Sequence, residues 1–116
     1  MFVTGSYYGT VSLWKNKKLV KSITLFDSHT RVLFKNGGVF ARTDKNDYVI
    51  ELNLNLAIVI KFVTREKIRT MDANENYLVV GYWGDVFVDV YGRKKLNQGG
   101  YKECNYNICC QSTVGY

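Results

Sequence analysis

The chain has 116 residues, of which 47% are hydrophobic and 15% aromatic, and it contains no proline. This size and apolar content exclude a disordered tail and allow one ordinary domain with a buried core. The formal charge of +6 favours anionic partners, although such an excess is also common on ordinary soluble domains. Abundant aromatic and β-branched residues predict an all-β fold, with turns built from Gly, Asn, Asp and Lys.

Three segments share one pattern: a short apolar strand, a small or polar pair, a turn, and an exit strand of alternating residues. This pattern predicts three hairpins. They lie near residues 3–14, 40–51 and 79–91. The turns are expected to need a positive φ at Gly9, Asn46 and Gly84.

The exit strands alternate, so that three pairs of residues are each predicted to share a face packed on a neighbouring unit. These pairs are Val11 with Leu13, Tyr48 with Ile50, and Val88 with Val90. Carboxylates in the turns and exit strands, namely Asp44, Asp47, Asp85 and Asp89, are interpreted as turn caps or as members of solvated faces.

Between the hairpins lie further strand-like segments. Residues 21–25 and 57–62 are predicted to form outer strands, and residues 30–34 and 67–71 innermost strands. A short buried helix over residues 54–62 is an alternative on length alone, but the β-branched content favours a strand.

The repeat is the strongest signal in the sequence. Gly5, Arg42 and Gly81 occupy matching positions, separated by 37 and 39 residues. A period near forty, with four strands per unit, is typical of β-propellers. The prediction is a partial propeller of about three four-stranded antiparallel blades in residues 1–92, followed by a degraded further blade or C-terminal tail in residues 93–116.

The first hairpin, Gly5-Ser6-Tyr7-Tyr8-Gly9-Thr10-Val11-Ser12-Leu13-Trp14, resembles the WD40 repeat. Lys15 replaces the aspartate that usually follows the tryptophan. His29 lies near the customary Gly-His pair, but without the glycine.

The C-terminal half resembles the echinoderm microtubule-associated protein-like (EMAP-like) family of WD40 proteins. The resemblance rests on the segments Arg65-Glu66-Lys67-Ile68, Asn76-Tyr77-Leu78-Val79-Val80-Gly81 and Phe87-Val88-Asp89-Val90-Tyr91. It covers roughly residues 2–91, and it implies a cytoplasmic scaffold bound to microtubules, including those of a flagellar axoneme.

Three blades are too few for a closed ring, because four to eight blades need at least about 160 residues. Two edges would stay open, at Met1 and beyond Tyr91, and they are the predicted contact surfaces. Three arrangements can cover them: missing blades of a longer protein, which is the favoured expectation, another copy of the chain, or a larger assembly.

Catalytic and metal chemistry is not expected. The chain has a single histidine, and it lacks phosphate-binding glycine loops and a Ser-His-Asp arrangement. Asp27 near His29 could form an acid/base pair, but a structural hydrogen bond is the favoured interpretation. Cys104, Cys109 and Cys110 match no common zinc spacing. They are expected to be reduced, partly buried thiols, with a metal site or vicinal disulfide as the alternative.

No leader or membrane span is evident in the sequence, so a cytoplasmic protein is predicted. Because the chain lacks catalytic motifs, its predicted function is to bind another macromolecule. Tubulin or an axonemal protein is the first candidate partner, and a ribonucleoprotein or other large complex is the alternative. Aromatic and basic residues are the predicted partner-binding set: Tyr7, Tyr8, Lys15, Lys17, Lys18, Tyr82, Trp83 and Arg93. No cofactor is expected.

Overall fold

The computed structural model describes residues 1–84, 87–94, 102–105 and 110–115, and for residue 105 and residues 110–115 it describes the backbone alone. All regular secondary structure in this part of the chain is β-strand, arranged in three sheets of mainly antiparallel strands. The all-β prediction is therefore confirmed.

Sheet 1 is an antiparallel meander of β1 (Phe2–Gly5), β2 (Thr10–Lys15) and β3 (Lys18–Thr24). Asn16 and Lys17 turn the chain from β2 to β3 with φ values of 53° and 64°. Two consecutive positive φ angles match the twist of a tight hairpin.

Sheet 2 contains four consecutive antiparallel strands: β4 (Thr30–Lys35), β5 (Gly38–Thr43), β6 (Tyr48–Leu52) and β7 (Ile58–Val63). Residues 58–63 form a strand, as their β-branched content predicts, and not the alternative helix. Sheet 3 begins in the same way with β8 (Ile68–Ala73), β9 (Tyr77–Tyr82) and β10 (Phe87–Gly92). The three predicted hairpins are thus present as β1–β2, β5–β6 and β9–β10.

Two later strands join these sheets. β11 (Lys102–Asn105) runs parallel to β7 at the edge of sheet 2, and β12 (Cys110–Gly115) pairs antiparallel with β10 in sheet 3. The described strands after residue 92 therefore pair with earlier strands.

Sheet 2 lies between the other two sheets, and alternate residues of its strands enter two different hydrophobic cores. One core joins it to sheet 1 and contains Val11, Leu13, Phe26, Val39, Ala41, Ile50, Leu52 and Leu56. The other joins it to sheet 3 and contains Phe40, Val49, Ile60, Phe62, Ile68, Ala73, Leu78, Val80, Tyr82, Tyr91 and Cys104. Both faces of sheet 2 are consequently covered.

The exit strands bear out only in part the prediction that each pair of alternating residues shares a face packed on a neighbouring unit. Val11 and Leu13 are buried against sheet 2, whereas Tyr48 and Ile50 pack back toward sheet 1. In β10, Val88 and Val90 share a face as predicted, but this face is only half-buried, and Asp89 and Tyr91 occupy the buried positions.

Two buried arginines connect sheet 2 to sheet 3 near opposite ends of β8. Arg42 donates hydrogen bonds to the carbonyl oxygens of Ile68 (3.1 Å) and Arg69 (2.7 Å). Arg93 donates to the carbonyl of Asn74 and forms two 3.1 Å hydrogen bonds with the carboxylate of Glu51. Burial lowers the pKa of Arg42, an effect partly offset by its hydrogen bond to Asp44.

The turns use glycine at two of the three predicted positions. Gly9 and Gly84 have φ values of 94° and 69°. Asn46 does not adopt a positive φ, so that prediction is wrong. The backbone N–H of Asn46 instead donates to the Thr43 hydroxyl, which stabilises the turn without a left-handed residue.

The two glycines should differ sharply in their tolerance of alanine. A Cβ at Gly9 would lie 1.8 Å from the carbonyl oxygen of Phe26, whereas a Cβ at Gly84 would meet nothing within 4 Å. We expect Gly9→Ala to lower the free energy of unfolding by about 3 kcal/mol or more, and Gly84→Ala by about 1 kcal/mol. Urea denaturation of the two variants measures both effects, and equal costs would contradict this packing of Gly9.

Candidate functional site

The strands end in two groups of turns on opposite sides of the molecule. We name the first group the aromatic end and the second the lysine end. The aromatic end consists of segments 6–9, 25–29, 44–47, 64–67 and 83–84, and the lysine end of segments 16–17, 36–37, 53–57 and 74–76. Backbone hydrogen bonds from Thr30 to Ser6 and from Thr64 to Asp47 connect neighbouring segments of the aromatic end.

Three exposed aromatic side chains lie at the aromatic end. Tyr7 is 73% exposed, Tyr8 81% and Trp83 59%. The ring of Tyr7 stacks on His29 with centroids 5.2 Å apart, and the guanidinium of Arg69 lies 4.9 Å from the centre of the Trp83 ring. Large rings that remain in water on a folded protein favour contact with a partner.

A groove of about 590 Å³ opens beside Trp83. Its walls come from the turns of sheets 2 and 3, and they carry Lys45, Asp47, Glu66, Lys67 and Trp83. The four charged side chains comprise two cations and two anions, which suits a polar protein segment better than a single strongly charged ion. The sequence predicted only Trp83 of this set, because residues from three separate turns form no motif.

The predicted lysines lie elsewhere. Lys15, Lys17 and Lys18 are exposed at the β2–β3 turn, which belongs to the lysine end. Tyr8 and Lys15 flank opposite ends of β2, and a strand of six residues is roughly 20 Å long. The predicted tyrosines and lysines therefore cannot form one compact site.

Tyr82 does not lie on a binding surface. Its side chain is buried, and its hydroxyl donates a 2.6 Å hydrogen bond to Asp89. Arg65 donates two more hydrogen bonds to the same carboxylate, of 2.8 and 2.6 Å. Asp89 is only 1% exposed, which corrects its interpretation as part of a solvated face. Asp85 lies outside the described residues.

Arg93 is the second correction to the predicted binding set. It is 7% exposed, and its guanidinium lies 4.8 Å from the centre of the Phe40 ring as well as against Glu51. A charge buried in this way holds sheets together and is not available to a partner.

Ion pairs at the surface lower the pKa values of two carboxylates. Arg31, with Arg42, lowers the pKa of Asp44, and Lys35 lowers the pKa of Asp72. These carboxylates stay ionised as structural partners.

In the described part of the chain, no three His, Cys, Asp or Glu side chains come together as ligands for a metal ion. Cys104 is buried in the core between sheets 2 and 3. Cys109 and the side chain of Cys110 lie outside the described residues. Nor does this part of the chain contain a helix long and apolar enough to cross a membrane.

No protein-family model matches this chain, and a search of curated proteins also found no match.

The Tyr82–Asp89 pair predicts a loss of stability at high pH. Burial, reinforced by the hydrogen bond to Asp89, raises the pKa of Tyr82. The folded state therefore favours the neutral phenol, and this contribution is complete below the pKa of an unfolded tyrosine, about 10, and is lost as the pH rises through the higher folded value.

We expect Tyr82→Phe to lower the free energy of unfolding by about 1 kcal/mol at neutral pH and to reduce its decline above about pH 10. Denaturant titrations across the alkaline range measure both effects. Tyr7→Phe is the matched control, since this exposed hydroxyl is in water before and after unfolding. An unchanged alkaline decline in Tyr82→Phe would refute the assignment.

Proposed function

We propose that the three sheets are successive blades of a WD40-type β-propeller and that the chain is a non-catalytic scaffold whose aromatic end binds a protein partner. The blade assignment is supported by the repeated hairpins and by equivalent packing positions. Val39 and Leu78 match Phe2 at separations of 37 and 39 residues, and each enters the core shared with the preceding sheet.

The observation that carries the binding proposal is the group of exposed rings at one end of the sheets. Tyr7 and Tyr8 project from the β1–β2 turn, and Trp83 projects from the equivalent β9–β10 turn. Equivalent turns of stacked sheets can thus present aromatic side chains to one extended partner surface. Aromatic residues and arginine are the types that most often dominate the energy of protein interfaces.

The proposed partner is a microtubule or a protein of a microtubule-based assembly such as the axoneme. The net charge of +6 complements an acidic filament surface, and Lys45, Lys67 and Arg69 provide cations close to Trp83. Under this proposal the protein works in the cytoplasm, on the cytoskeleton.

A second candidate function is a scaffold subunit of a ribonucleoprotein. The lysine end favours it, because Lys15, Lys17 and Lys18 are exposed around one hairpin turn. Exposed lysines bind phosphate without needing a shaped pocket, and such binding weakens steeply with salt.

Cosedimentation with taxol-stabilised microtubules, with and without RNA as competitor, separates the two candidates. We expect Trp83→Ala to weaken microtubule binding by about tenfold, as is common for a central tryptophan. Phe34→Ala is the control, because Phe34 is a 39% exposed ring near the lysine end. Circular dichroism should be used to verify that each variant is folded.

The two ends give opposite patterns. If the aromatic end binds microtubules, charge reversal of Lys17 and Lys18 weakens pelleting much less than Trp83→Ala does, and RNA does not compete. Binding that depends on Lys17 and Lys18, ignores Trp83 and disappears with RNA would reject the microtubule proposal in favour of the second candidate.

A further inference from the structure

In a row of three sheets, each sheet presents one face toward the preceding sheet and one toward the next. The outer faces of sheet 1 and sheet 3 therefore have no neighbouring sheet among the described residues. Val3, Phe40 and Val79 are equivalent positions, separated by 37 and 39 residues. Val3 packs on the core shared with sheet 2, and Phe40 lies in the core shared with sheet 3. Val79 belongs to neither core that the described residues form, so the outer face of sheet 3 corresponds to faces that are covered in sheets 1 and 2.

Among the described residues, the outer face of sheet 3 carries a patch of apolar side chains bordered by Asp72, which is the direct cross-strand neighbour of Val79 in β8 and forms an ion pair with Lys35. Val79 and Val90 are direct cross-strand partners and are half-buried. Tyr77, on the same face at the start of β9, is 43% exposed. Residues directly opposite in neighbouring strands form one continuous surface. The patch lies toward the lysine end of the sheet.

Sheet 1 carries a matching patch on its outer face. Phe2, Trp14 and Leu19 are cross-strand neighbours, on the side opposite the buried Val11 and Leu13. The rings of Phe2 and Trp14 stack with centroids 6.1 Å apart. Phe2 is 50% exposed and Leu19 54%. This patch also lies toward the lysine end.

The internal interfaces show how two such faces fit together. In each, the face of one sheet that looks toward the next sheet meets the face of the next that looks back, with the hairpin turns aligned at the same end. The outer face of sheet 3 is one that would look toward a next sheet, and the outer face of sheet 1 is one that would look back toward a preceding sheet. The two patches therefore correspond to the two sides of an internal interface, and both lie toward the lysine end of their strands.

We propose that the outer face of sheet 3 binds the outer face of sheet 1 of a second copy of this chain. Because the contact is head-to-tail, two copies close a ring through two identical interfaces. Six sheets result, and this number falls within the four to eight blades of known propellers. The inference rests on the proposed blade arrangement but not on the partner of the aromatic end.

The test is the mass of the 116-residue chain in solution, measured by sedimentation velocity and light scattering over a wide range of concentration. The proposal predicts a species of twice 13.4 kDa. A chain that remains at 13.4 kDa at every concentration overturns it.

Three lysine substitutions locate the interface. Leu19→Lys and Tyr77→Lys place a cation on the outer faces of sheets 1 and 3, and each should weaken the dimer by about tenfold or more. Leu54→Lys is the matched control, since Leu54 is 40% exposed in the β6–β7 turn, away from both faces. All three positions are exposed enough that folding should survive, and circular dichroism verifies this.

Mixing the variants distinguishes a head-to-tail contact from a face that binds itself. A Leu19→Lys chain keeps an intact sheet 3 face, and a Tyr77→Lys chain keeps an intact sheet 1 face. Their mixture should recover one unaltered interface and form mixed dimers. A dimer that is indifferent to Leu19→Lys, or a mixture that recovers nothing, overturns the head-to-tail proposal.

The dimer mass and the microtubule-binding assay test the two proposals independently. Trp83→Ala lies outside both outer faces, and we expect it to keep the dimer mass while losing microtubule binding. A Tyr77→Lys chain that keeps the dimer refutes the dimer proposal and leaves the binding proposal standing. A Trp83→Ala chain that keeps microtubule binding refutes the binding proposal and leaves the dimer proposal standing.

Discussion

The buried contact of Arg93 with Glu51 holds the C-terminal sheet against the middle of the molecule. Both side chains are almost completely inaccessible, at 3% and 0% exposure. Removing two charges from water costs several kcal/mol each, so the pair is tolerable only with good hydrogen-bond geometry. The two bonds between guanidinium and carboxylate, together with the Asn74 carbonyl, provide that geometry. These bonds hold the ends of β8 and β10, and with them sheet 3, against β6 of sheet 2.

The groove at the other end of the molecule depends on the same placement. Lys45 and Asp47 follow β5, while Glu66 and Lys67 precede β8 and Trp83 follows β9. A shift of sheet 3 along sheet 2 would separate these turns. Arg42 limits such a shift near the aromatic end by bonding to the backbone of Ile68 and Arg69. The candidate binding surface is thus positioned by two arginines that are themselves buried.

The sequence predicted the strands better than the surfaces. Periodic apolar residues and the glycine turns located the hairpins, because strand formation depends on local alternation and turn chemistry. The sequence could not predict that Asp89 is buried, because the partners of its carboxylate, Arg65 and Tyr82, belong to other segments of the chain. Tyr82 and Trp83 are neighbours in sequence, yet the end of β9 directs one inward and leaves the other exposed. The burial of Arg93 could not be predicted for the same reason, because its partner Glu51 lies 42 residues away in the sequence.

A double-mutant cycle on Glu51 and Arg93 tests most directly whether this pair joins sheets 2 and 3. Arg93→Met or Glu51→Leu alone breaks the buried ion pair and should lower the free energy of unfolding by about 3–5 kcal/mol. The double variant replaces both charges with apolar side chains. It should be more stable than the sum of the single changes predicts, by at least about 2 kcal/mol. Single effects that add to within about 0.5 kcal/mol would contradict the direct pairing of these residues and the packing of sheet 3 on sheet 2.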